Sequence, residues 1–433
     1  MGHVFWDMEM WMLPWVNLFH PDLCQLALDY RFATLAVAHE RAIFSGLDGA
    51  RFPWESAFTG IETTPWDLAA NNQVHVVGAV SHAVQLWLLT NANDAAVESS
   101  WYARKGRLLL EGVARFWYWR MNYSEEKNAF EIVDVMPPDE YTHCCRNSAY
   151  TNAIAASALR APARFARLFN APVDREYEVW ETASKQLWMP KDHVNHVMLE
   201  HEDYLLGTCV KQADTVLLKY PLLFEQPEEW ERNMLKVYAD ATDPNGPAMT
   251  WSMFCICALE LEDEDRAADY FLRNLLHVRN PFLTWTETVD GSGAANFLTG
   301  AGGFLQSIVF GFAGIRTLLV HHHKIDQLCA SPNHQVPVLR FAPKIPKRFV
   351  SRWSCLSLNN LYFCGCRLTV KIRPTVQENL LHLLWESGQP LQIGRVFNER
   401  WIFDWILSED NCEVVTEFQT LYLMPFETAP CTS

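Results

Sequence analysis

The chain has 433 residues, 49% of them hydrophobic and 20% charged, with 35 basic against 51 acidic side chains and a formal charge of −16. It is too apolar for a disordered segment, long enough for two or three domains, and too acidic to favour nucleic acid or an anionic membrane surface. Its 18 tryptophans exceed what a core of this size needs; indoles fill cores, and they also stack on the C–H faces of sugar rings. A carbohydrate site is therefore the reading to set beside plain core packing.

The opening MGHVFWDMEMWML lacks the basic region, apolar run and small-residue cleavage site of a signal peptide. The 12 cysteines form no C-x-x-C pair, which predicts reduced thiols and a cytoplasmic protein without a structural metal site. Helical periodicity begins after Pro21-Asp22, where Leu28, Phe32, Leu35, Ala36 and Ile43 share a face that ends at Gly46. It returns at Val77, Val80, Val84 and Leu88, then at Leu109, Val113, Phe116 and Arg120. Further helices are predicted near 147–169, 174–189, 210–223, 227–240, 248–260, 263–277 and 299–317. No strands alternate with them to build a parallel sheet. The longest apolar run, Ala301 to Ile315, contains Gln306 and four glycines and falls short of a membrane span.

After His321-His322-His323 the pattern changes. Leu368, Val370 and Ile372 alternate with Thr369, Lys371 and Arg373, and prolines and glycines punctuate the rest. The expectation is a mainly α chain, with an all-α domain over 1–325 and a small β-sandwich over 335–433. The three histidines read as an exposed linker rather than a metal site.

Four stretches set acids beside aromatic residues at element ends: Trp6-Asp7-Met8-Glu9, Phe52-Pro53-Trp54-Glu55 with Glu62 behind it, Pro137-Pro138-Asp139-Glu140-Tyr141, and Trp285-Thr286-Glu287. Glycoside hydrolysis needs one carboxyl to protonate the leaving oxygen and another group on the opposite face. Any single acid among these could equally be a helix cap or a surface group. Gly300-Ala301-Gly302-Gly303 could cradle a phosphate or serve as a close-packing turn. His201-Glu202-Asp203 reads as a solvated turn, and Lys211-Gln212-Ala213-Asp214 as the first turn of an apolar helix. No nucleophile elbow, P-loop or dinucleotide fingerprint is present.

Six of these segments, GHVFWDMEMWMLP, GARFPWES with TGIE, QVHVVGAV, PPDEYTH with NSAYTNA, VKQAD with VLLKYPL, and TWTETVDGSGAANFLTGAGGFLQ, stand in the order found in family-65 glycoside hydrolases and phosphorylases. The sequence resembles that family over residues 1 to about 317. The resemblance implies an (α/α)6 barrel with the site at one end, followed by a small C-terminal β-sandwich domain. By resemblance, Glu140 is the general acid and Glu287 the general base, Trp6 and Asp7 hold the glucose ring, Lys211 and Gln212 form a second sugar-binding pair, and Trp54 and Glu55 lie at the same mouth. The implied activity is an inverting exo-α-glucosidase that takes glucose from a collagen-type glucosylgalactosyl-hydroxylysine, without a cofactor. The family also contains inverting disaccharide phosphorylases of the kojibiose, maltose or trehalose type. A carboxylate at Glu287 would repel a phosphate nucleophile and so favours hydrolysis.

The sequence departs from the family at Met8 and at Cys144-Cys145-Arg146, four to six residues past Glu140. The family's N-terminal β-sandwich is also absent, so Asp7 is expected in a fraying terminus, with apolar surface exposed on one barrel face. That absence motivates a third reading, a truncated remnant that binds sugar without turning it over.

Overall fold

The computed structural model describes residues 2–92, 97–212, 214–321, 335–375, 379–397, 400–416 and 420–426. Its helices form an α/α barrel, and the logic shows in their burial. The helix His75–Thr90 is buried at every position but one, and Ala149–Leu168 and Thr250–Glu260 are nearly as enclosed. A helix apolar all round belongs inside. Arg175–Ser184, Glu228–Ala241 and Glu264–Asn274 instead bury one stripe and turn charge outward, as outer-ring helices must. Inner and outer members pack in pairs, Thr250–Glu260 against Glu264–Asn274 and Ala149–Leu168 against Arg175–Ser184. Ser148 caps the longest helix by accepting from the Thr151 N–H at 3.2 Å.

The ring closes where the first segment meets the last helix. Met8–Met12 packs against Leu298–Gln306, and the Gln306 side-chain amide donates to the carbonyls of Met10 and Trp11 at 2.9 and 2.8 Å. Gly302 permits the approach, since a Cβ there would lie 2.6 Å from the Trp11 carbonyl oxygen. The glycine run is thus a close-packing device, the second of its two sequence readings.

Two antiparallel sheets follow, one of four strands and one of five, packed face to face around Leu361, Leu368, Val370, Leu383, Ile393 and Leu423. Val370 pairs with Leu383 and Ile372 with Leu381, so the apolar alternation points inward as expected. The boundary at 325 requires correction. Arg316–His321 is already an edge strand, paired with Gln335–Phe341, and residues 322–334, with two of the three histidines, lie outside the described residues. The sheet is tied to the barrel by Glu260, which pairs with Arg316 at 2.8 Å and with Arg340. Burial would raise the Glu260 carboxyl, yet the two guanidiniums hold it down to about 2.

Other expectations are corrected too. The helix expected over 210–223 shrinks to Val216–Lys219, because the residues before it hold the loop described below. Three short hairpins, Asn122–Ser124 with Ala129–Glu131, Lys191–Asp192 with Val197–Met198, and Val278–Arg279 with Thr284–Trp285, are too brief for alternation to reveal. Trp87 and Trp117 are core residues, whereas Trp119, on the same helix as Trp117, is 57% exposed. Among the described residues the ten cysteines are free thiols, and no helix is long and apolar enough to cross a membrane.

Candidate active site

The terminus expected to fray is pinned. Val4 and Ser56 exchange backbone hydrogen bonds at 2.7 and 3.0 Å, and fully buried Glu9 takes a two-pronged salt bridge from Arg31 at 2.7 and 3.1 Å. Trp6 is buried edge-on to His75, Trp11 and Tyr150, with ring centroids 4.6 to 6.0 Å apart. Burial pushes the His75 imidazole down to about 3, which leaves this wall neutral. Leu23, Leu26, Ile43 and Phe44, on the helices Pro21–Ala33 and Leu35–Phe44, are exposed.

Next to Trp6, half-buried Asp7 accepts the Thr299 hydroxyl at 2.6 Å. Burial raises its carboxyl from 3.8 to about 6, and the charges of Glu140 and Glu287 add to the rise. Three acids from distant parts of the chain therefore converge. Between 3.8 and about 6 the folded state holds a proton that the unfolded chain has released. The stability this group contributes is thus fully present below 3.8 and lost as pH rises to about 6. We expect the melting temperature of Asp7→Asn to gain on that of the wild type between pH 4 and pH 7; a constant gap across that range would show that Asp7 is not enclosed this way.

Glu140 sits in a braced loop. Its Oε1 accepts from the Gln73 amide at 3.1 Å and its Oε2 from the Lys211 ammonium at 2.6 Å. The neighbouring Asp139 turns inward, where it accepts the Lys211 N–H at 2.7 Å and donates its own N–H to Asp214 at 2.9 Å. Gln212 donates its amide to the Pro138 carbonyl at 3.1 Å. Below lie Asp214 and Glu200, both fully buried; burial holds both carboxyls well above the ordinary range, with Asp139 adding to each. Cys145 is buried and exchanges backbone bonds with Val135 at 2.8 and 3.2 Å, so the departure at Cys144-Cys145-Arg146 closes the loop rather than opening it.

Glu287 follows the hairpin strand Thr284–Trp285. Its N–H donates to the Ala294 carbonyl, and its Oε2 accepts the Ala294 N–H, both at 3.0 Å. Gly293, at φ +74°, lies beneath the carboxylate, and a Cβ there would stand 2.4 Å from Oε2. Gly293→Ala should therefore displace Glu287 and lower kcat by about 10²-fold, the scale of a misplacement of roughly 1 Å. The melting temperature should barely move, because the loop is largely exposed. Wild-type turnover in this variant would remove Glu287 from the chemistry.

Trp54 packs on Phe5 and Trp66, and Trp66 on His143 of the Glu140 loop. Glu55 faces His3 at 2.5 Å, a contact that ties its loop to the first segment. Glu62 holds its loop by accepting the Trp54 and Glu55 N–H groups at 2.8 and 2.9 Å. Sequence reasoning did not assign Gln73, Thr299, Asp139 or Asp214. All four stand inside quoted motifs, and the doubled acid Asp139-Glu140 was the one signal that one carboxylate faces the cleft and the other the core.

An α/α barrel with a mouth of converging acids and indole is the architecture of a glycoside hydrolase catalytic domain. Residues 1–209 match the glycosyl hydrolase family 65 central catalytic domain, and that part of the chain is a domain of this family. It is 38% identical over 406 residues to the protein-glucosylgalactosylhydroxylysine glucosidase of Gallus gallus, covering 91% of this chain and 54% of that protein. It is 34% identical over 317 residues to the kojibiose hydrolase of Flavobacterium johnsoniae, covering 72% and 45% respectively. The chain thus spans about half the length of these relatives. The solved structure "Putative kojibiose phosphorylase from human microbiome" superposes with a TM-score of 0.73 at 16% identity, over 96% of this chain and 60% of that one, a likeness of fold.

Proposed function

We propose that this chain is the catalytic portion of an inverting exo-α-glucosidase that releases glucose from the glucosyl-galactose linkage of glucosylgalactosyl-hydroxylysine. The observation that carries the reading is the convergence of Asp7, Glu140 and Glu287 beside the buried Trp6 face. Glu140 protonates the glycosidic oxygen, while Glu287 takes a proton from water attacking the opposite face. Inversion asks for carboxyls roughly 6.5–9.5 Å apart, room for that water. Trp6 and Asp7 receive the glucose ring, and Lys211 and Gln212, already at the Glu140 loop, complete its cradle. The substrate preference is supported by the named activity of the relative from Gallus gallus.

The test is incubation of purified chain with glucosylgalactosyl-hydroxylysine, with and without phosphate. Free glucose, first as the β-anomer and independent of phosphate, is the expected result. Glucose 1-phosphate would establish a phosphorylase instead. Stabilisation by glucose without any turnover would establish a sugar-binding chain.

A further inference from the structure

The two proposed catalytic loops come from residues 137–147 and 286–296, almost 150 positions apart, yet inversion demands that their carboxyls keep a fixed separation. One short stretch touches both. The turn Asp243-Pro244-Asn245-Gly246 leaves the outer helix Glu228–Ala241 and leads into the inner helix Thr250–Glu260. Its own shape is set by Asp243, whose Oδ1 accepts the Asn245 N–H at 2.8 Å and whose carbonyl accepts the Gly246 N–H at 3.0 Å. It is seated on the segment entering Lys211, where Val210 bridges to Thr242. Asp243 donates its N–H to the Val210 carbonyl at 2.9 Å, and Gly246 lies so close that a Cβ would stand 2.5 Å from the Lys211 carbonyl oxygen.

From this seat the turn reaches in two directions. Toward Glu140, Asp243 Oδ2 accepts the hydroxyl of the adjacent Tyr141 at 2.6 Å. Toward Glu287, Asn245 and Asp290 form a reciprocal pair, side-chain amide to carboxylate at 3.2 Å and Asp290 N–H to the Asn245 side-chain Oδ1 at 3.0 Å. Three residues past Asn245, the Ala248 N–H donates to the Glu287 carbonyl itself at 2.9 Å.

We propose that residues 243–248 are a strap that couples the Glu140 and Glu287 loops and fixes the separation of the two carboxylates, with Tyr141, Asp243 and Asn245 as positioning residues. The catalytic half of this statement rests on the function proposed above; the mechanical half does not. A shift of about 1 Å at either carboxylate is enough to cost a large factor in rate, so a bridge with little effect on stability can have a large effect on turnover.

The experiment compares Tyr141→Phe and Asn245→Ala in the full chain by two readouts. In amide hydrogen exchange, each variant should loosen both loops, so that Asn245→Ala speeds exchange in 137–147 and Tyr141→Phe does so in 286–296. Loosening confined to each variant's own loop would overturn the strap, whatever the activity. In kinetics, both variants should lower kcat at least tenfold on glucosylgalactosyl-hydroxylysine with KM within twofold. On α-glucosyl fluoride, whose leaving group needs little protonation, both variants should still lose rate, because each also loosens the Glu287 loop. Full recovery on the fluoride by Tyr141→Phe would confine its effect to Glu140 and overturn the coupling. Absence of turnover in the wild type, with coupled exchange intact, would sink the function while leaving the strap standing.

Discussion

Glu140→Gln will lower glucose release from glucosylgalactosyl-hydroxylysine by about 10²–10⁴-fold, the usual contribution of a positioned proton donor. The substitution keeps the shape of the side chain, and an amide oxygen can still accept from Lys211, which now grips Oε2 at 2.6 Å. What it cannot do is hand a proton to the departing galactose oxygen. Two controls make the result specific. Glucose-dependent thermal stabilisation should persist, because Trp6, Asp7 and Lys211 are untouched. Hydrolysis of α-glucosyl fluoride should survive far better, since fluoride departs without general acid help. Glu287→Gln should lose both substrates alike, because each needs water activated on the opposite face. Wild-type turnover in Glu140→Gln would mean that the proton comes from elsewhere, and the carboxyl of Asp7, raised to about 6, would be the group to examine.

The helical domain was legible because its stripes are long and periodic, and the sandwich because residues 367–373 alternate cleanly over a full strand. Glu140 and Glu287 were legible as candidates through their motifs. What surrounds them was not, for a physical reason: the supporting contacts join residues with no periodic relation. Gln73 reaches Glu140 across 67 positions and Thr299 reaches Asp7 across 292. Lys211-Gln212-Ala213-Asp214 misled in the opposite sense. Its polar residues looked like a helix start, whereas Lys211, Gln212 and Asp214 all bond to the Glu140 loop and the helix begins only at Val216. Strand Arg316–His321 was missed because it continues an apolar helical run without a break.

Arg31→Met will destabilise the chain by about 3–5 kcal/mol, the penalty for stranding one member of a buried ion pair. Glu9 is completely buried and Arg31 is 2% exposed, so neither charge can recover solvation by a small movement. The guanidinium also lies over the Phe52 ring, 5.7 Å from its centroid, and Met would restore some of that packing but none of the charge. A Glu9→Gln/Arg31→Met double variant should recover much of the loss, because no bare carboxylate then remains; equal loss in single and double variants would assign the effect to packing alone. The consequence for the site is more specific than the stability. Glu9 is two residues from Asp7 and one turn from Trp6, and its bond to Arg31 is the buried charged contact among those that hold this segment. In Arg31→Met the segment should become sensitive to protease, and glucose should lose its stabilising effect at temperatures where the rest of the barrel is still folded. Composition and position alone point to a fraying terminus at this place; the buried pair, invisible to periodicity, joins the Val4–Ser56 and Gln306 contacts in holding it.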